Sequence, residues 1–337
     1  MVGVRRSDAP ADIGMARRTA FGSLGVWPGI WRRSCLVFGM ASLSGTPRGW
    51  LPGAVAVAVA AALLGAAPRS AAGGVPAGRA LDPARFAAGS CVSFAPPSGP
   101  PRHKTVFIDA GHGGPDPGAV GVTLAGRTVH EATETLRVAL DALGPLRAEG
   151  YRVVLSRTTA AAVARPAPGD LSGGVFSGQG VHRDIVARDA CANLARADIL
   201  IGVYFNASDY TSDGGSLTLY DAARTFRQSN RRLAQLVQHS VLARLKESGR
   251  SVADDGVHRD VGYGSSVTSA DRAYGHLLLI GPAKAGYFSA PSEMPGALIE
   301  PLFITNPAQA SLADSVAGEK AIARGLAAAV GQYFGAA

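Results

Sequence analysis

The sequence predicts a single α/β domain: a mostly parallel twisted sheet of about six strands with helices on both faces. Three observations predict it. Short apolar runs alternate with amphipathic stretches from residue 104 to the C-terminus, the order that builds parallel strands joined by crossover helices. Hydrophobic residues are 47% and charged residues 17% of the 337, enough for a large core and too little charge for a disordered chain. A glycine-rich turn, Gly111-His112-Gly113-Gly114, follows directly on the first run, where such sheets collect ligands, at the carboxyl ends of strands.

Residues 1–72 form a leader. Trp50–Ala67 is apolar and uncharged, Arg48 precedes it, and the small residues Ser70-Ala71-Ala72 follow. A positive flank, an apolar centre and a small-residue exit describe a secretory signal. The run is also close to the minimum length of a membrane span, so an uncleaved anchor is the alternative, and the only contact with a membrane that the sequence suggests. Met40 is the expected true start, because it gives a signal of ordinary size. The leader carries eight Arg against two Asp, so of the net charge of +8 only +2 belongs to the rest. That balance gives no reason to expect a nucleic-acid partner.

Residues 73–103, rich in Gly, Ala and Pro, read as a flexible linker, and the folded domain runs from 104 to 337. Thr105–Ala110 is a strand. Glu131–Glu149, with Leu136, Ala139, Leu140 and Leu143 at helical spacing, is a helix. Arg152–Ser156 is a strand, 164–180 a long loop, His182–Ala195 a helix and Ile199–Phe205 a buried strand. Ser216–Tyr220 is a strand, Phe226–Lys246 an amphipathic helix, His276–Ile280 and Ala297–Phe303 strands, and Ser311–Tyr333 a closing helix. Of the cysteines, Cys35 lies in the leader. Cys91 and Cys191 either pair in an oxidising compartment or remain a loop thiol and a buried helix thiol.

Polar side chains stand at the strand ends. His112 follows the first strand; Tyr204 and Asn206 end the Ile199 strand; Glu300 interrupts an apolar run, where a lone buried charge is costly. Glu131 opens a helix, whose positive end favours a carboxylate. Asp109 and Asp116 are expected to hold the turns around His112. His130 is a minor candidate ligand, and His258 a weak substrate-facing candidate. His182, His239 and His276 have no partner motif and read as ordinary histidines.

In order along the chain, Gly111–Ala119 (GHGGPDPGA), Glu131 with its helix, Arg152–Arg157, Arg188 with Ala190 and Asn193, Gly214-Gly215 and Glu300–Asn306 resemble the zinc-dependent N-acetylmuramoyl-L-alanine amidases of the amidase-3 type. The resemblance spans about residue 104 to the C-terminus. It implies hydrolysis of the amide between muramic acid and the stem peptide of peptidoglycan, by a monomer exported to a bacterial cell envelope and acting on peptidoglycan or muropeptides. It also implies one zinc ion on a His-Glu-His set and a glutamate base. By position His112 and Glu131 match two ligands, Glu300 the base, and Asn206 a residue that bonds substrate or holds the Glu300 loop. The second ligand His is replaced by Tyr204, and Leu302 stands where the family places Gly. A phenol must lose a proton of pKa near 10 to bind zinc. An active enzyme with an altered metal site and a degenerate domain that binds peptidoglycan without cutting it therefore both follow from the resemblance.

Overall fold

The computed structural model describes residues 76–97, 100–263 and 269–335. The leader, Met40 and Cys35 lie outside the described residues. Among those described, no helix is long and apolar enough to cross a membrane.

The elements run β1 (Arg79–Ala80), β2 (Ser90–Phe94), β3 (Thr105–Ala110), β4 (Val120–Val122), β5 (Thr128–His130), α1 (Glu131–Ala148), β6 (Arg152–Arg157), β7 (Leu171–Ser172), β8 (Val175–Phe176) and α2 (Gly178–Leu194). After them come β9 (Ile199–Val203), β10 (Ser216–Tyr220), α3 (Arg227–Glu247), β11 (Asp254–Arg259), α4 (Ser269–Tyr274), β12 (Gly296–Glu300), α5 (Pro307–Ala313) and α6 (Val316–Gly335).

Eight strands form one sheet in the order β1-β2-β6-β3-β9-β12-β10-β11. Its centre, β6-β3-β9-β12, is parallel, and β2 and β10 flank it antiparallel. β3 and β9 are buried along their whole lengths, as expected of strands covered on both faces. Alternation then sorts their side chains. Val106, Ile108, Ile199, Ile201 and Val203 join the core under α1, α3 and α6, whereas Phe107 and Leu200 join the core under α2. The α/β class and the helices on both faces agree with the sequence reading.

Three expectations are corrected. The segment 73–103 is not a linker over its described part, since it carries β1 and β2, with Phe86, Cys91, Val92 and Phe94 buried. Its Gly, Ala and Pro content hid a strand that pairs with β6 across the sheet edge. His276–Ile280 is not a strand; it is a turn, whose backbone bonds locally, Gly281 N–H to Leu277 O, and to a side chain, Leu277 N–H to Asp260 Oδ2. The closing helix is two, α5 and α6. Asn306 Oδ1 caps α5 by accepting from Ala308 and Gln309 N–H, with Pro307 behind it. Cys91 and Cys191 form a disulfide that joins β2 to α2.

Candidate functional site

The polar residues converge at the carboxyl ends of β3, β9 and β12. His112 lies just past β3 in a left-handed backbone conformation, φ 59°, which costs a non-glycine residue about 1–2 kcal/mol. Two buried arginines hold that turn. Arg157, from β6, donates Nε–H to Ala110 O and Nη2–H to Gly111 O and to Ala132 O in the first turn of α1. Arg188, from α2, donates to Ala110 O and His112 O, and pairs with Asp109 and Asp184. The loop bearing His112 and the helix bearing Glu131 are thereby tied to one guanidinium.

Gly118 lets the loop close over this pair. At φ 67° a Cβ there would lie 2.7 Å from Glu131 Cβ and 2.8 Å from His112 Cδ2. His112 Nε2 stands 3.1 Å from Glu131 Oε1, and its Nδ1 stands 2.8 Å from Asp116 Oδ2. Glu131 Oε1 also accepts from Phe205 N–H and Oε2 from Ala119 N–H, both at 2.8 Å. Burial alone would lower the His112 pKa, but the charge of Glu131 and the hydrogen bond to Asp116 outweigh it and push the pKa up to about 10. The two carboxylates thus favour positive charge between them, which the protonated His112 ring supplies.

Glu300, at the end of β12, is pushed up to about 8, by burial first and then by the charge of Glu131, with His112 pulling it down. All three side chains therefore share one field. Asn206 does not reach into it by its side chain, whose Oδ1 accepts from Ala207 N–H. Its backbone clamps the turn after Glu300, donating to Leu302 O and accepting from Ile304 N–H. His258 is exposed on β11, and His130 is exposed at the start of α1, paired within the β4–β5 hairpin.

Tyr204 stands in the third position but faces elsewhere. Its ring lies edge-on to His112, centroids 5.3 Å apart, against Gly111, where a Cβ would come within 2.6 Å of it. Its hydroxyl donates to Asp109 Oδ2 at 3.0 Å. Burial and the Asp109 carboxylate hold the phenol well above its ordinary pKa, so it is a neutral donor at pH 7. His112 Nε2 and Glu131 Oε1 sit an edge of a coordination polyhedron apart, about 3 Å for bonds of about 2.0–2.2 Å. Nδ1 has the carboxylate partner that metal-bound imidazoles take. The pair fits a zinc ion, and Tyr204 adds no third donor. Sequence reasoning gave Asp109 and Asp116 only turn roles and placed Arg157 and Arg188 by resemblance alone, with no role; their contacts with the site appear in the fold.

The model of the family described as N-acetylmuramoyl-L-alanine amidase matches residues 106–332. N-acetylmuramoyl-L-alanine amidase LytC of Bacillus subtilis is 29% identical over 62% of this chain and 31% of its own length. The chain thus spans about a third of that relative. The germination-specific N-acetylmuramoyl-L-alanine amidase of the same organism is 26% identical over 72% of this chain and 84% of its own. The fold is shared with the CwlD amidase of Clostridioides difficile, solved in complex with the GerS lipoprotein (TM-score 0.50, 19% identity, 70% of this chain and 100% of that one).

Proposed function

The chain belongs to the N-acetylmuramoyl-L-alanine amidase family, and from that premise we propose that it hydrolyses the amide between muramic acid and L-alanine of peptidoglycan, with His112 and Glu131 holding a zinc ion and Glu300 moving the proton. The observation that carries the reading is the 3.1 Å approach of His112 Nε2 to Glu131 Oε1 within the field of Glu300. Bound there, zinc would polarise the scissile carbonyl and make water acidic at neutral pH.

The chain's own residues do the rest. Asp116, against Nδ1, orients the His112 ring so that Nε2 faces Glu131. Phe205 and Ala119 N–H hold the Glu131 carboxylate in place. Glu300, with a pKa of about 8, lies near the range where one group can accept a proton from the attacking water and return it to the leaving amine. Tyr204 braces Asp109, and through it Arg188 and the turn. The Cys91–Cys191 disulfide supports an exported protein working in an oxidising space; a monomer acting on polymer or muropeptides completes the proposal.

The test is release of stem peptide from purified peptidoglycan by the zinc-loaded protein and by Glu300→Gln. The variant is expected to lose about 10²–10⁴-fold in rate with circular dichroism and zinc content unchanged. Undiminished cleavage by Glu300→Gln would move the proton transfer to another residue.

A further inference from the structure

A second cluster lies at the opposite end of the sheet. β10 runs antiparallel to β12, and β11 runs parallel to β10, so Asp221 and Asp260, which follow them, emerge where β3, β9 and β12 begin. Both aspartates are 0% exposed. His276, in the turn first read as a strand, meets them there.

The three polar groups cannot satisfy one another. His276 Nδ1 lies 2.9 Å from Asp221 Oδ2, and 3.3 and 3.2 Å from Asp260 Oδ1 and Oδ2. One ring nitrogen carries at most one hydrogen, yet it faces oxygens of two buried acids. Asp221 Oδ1 is held by Ala223 and Arg224 N–H, but Oδ2 is sealed from solvent, accepts no hydrogen bond and points into the cluster. Arg224 gives its guanidinium to Gly281 O and Ser292 O and forms no ion pair with either aspartate. Among the described residues, both aspartates form ion pairs with His276 alone. Burying unpaired charge is expensive, so the arrangement calls for a further positive charge.

We propose that Asp221, Asp260 and His276 form a second, structural divalent-metal site, separate from the His112 site. Their ligand atoms all fall within 4.8 Å of one another. The 2.9 and 3.2 Å separations match the edges of a polyhedron with bonds of about 2.0–2.2 Å. An imidazole among two carboxylates selects zinc or a related first-row ion over calcium and magnesium, which prefer oxygen alone. The His276 side chain, 20% exposed, opens a way in for the ion.

The ion would fasten the turn at His276 to the ends of β10 and β11.

The test uses the full chain carrying His112→Ala, which removes the first site, dialysed against zinc and then against buffer. About one zinc per chain should remain, measured by elemental analysis, and zinc should raise the melting temperature. Adding His276→Gln, which retains a polar side chain of similar reach, should abolish both effects while circular dichroism stays folded; Asp260→Asn should do the same. Cobalt loading of His112→Ala should give a visible d–d band that His276→Gln removes. Three outcomes overturn the proposal: a folded His112→Ala protein that retains no zinc, a zinc equivalent that survives His276→Gln, or stabilisation by calcium and not by zinc.

Discussion

Tyr204→Phe tests the reading of the altered ligand position. The substitution removes one oxygen and leaves the ring that packs on Gly111 and His112, so no cavity opens. Asp109, 0% exposed, keeps its ion pair with Arg188 at 2.7 Å but loses the O–H donor to Oδ2 at 3.0 Å. A hydrogen bond to a charged group contributes about 1.5–3 kcal/mol. At about 2 kcal/mol, a domain of this size should melt about 4–8 °C lower. Because the hydroxyl is committed to Asp109, zinc content after dialysis should equal that of the parent. Urea unfolding and elemental analysis on the two proteins, side by side, give both numbers. The reasoning fails if Tyr204→Phe loses tenfold or more in zinc affinity with unchanged stability, for then the oxygen is a metal ligand.

Two further predictions concern the scaffold. The Cys91–Cys191 disulfide closes a span of 100 residues; replacing both with Ser should cost about 2–5 kcal/mol, read as a lower urea midpoint that reductant no longer shifts, and equal midpoints would deny the bond a stabilising role. Glu134 is pushed up to about 7 by burial, then by the Asp314 and Glu319 charges, against the pull of Arg137. An acid with a raised folded pKa holds its proton more tightly when folded, so its contribution is fullest below the unfolded value of 4.5 and is lost as pH rises through about 7. Glu134→Gln should therefore melt progressively higher than the parent as pH goes from about 5 to 8, and parallel melting curves across that range would contradict it.

The candidate site residues Glu131, His112 and Glu300 stood out in the sequence because each departs from a strong local pattern. A histidine sits among glycines, a carboxylate opens a helix, and a carboxylate interrupts an apolar strand. The strands β3, β6, β9, β10 and β12 were legible for the same kind of reason, since apolar runs of five or six residues are set by local burial. β2 was not, because a strand within Gly, Ala and Pro is defined by its partner β6 and by the disulfide, both distant in the chain.

What the sequence by itself determined, then, is the α/β class and the end of the sheet where polar side chains collect; that Tyr204 stands where the resembled family has His is what the resemblance implies. The first two follow from residue type and order, which pattern and charge alone can read. The tertiary structure decided where the Tyr204 hydroxyl points, which acids share His276, and which arginines hold the turn. Asp109 and Tyr204 are 95 residues apart, Arg188 and His112 76, and a hydrogen bond depends on angles and distances within a few tenths of an ångström. Spacing along a chain carries no such information until the sheet brings the strand ends together.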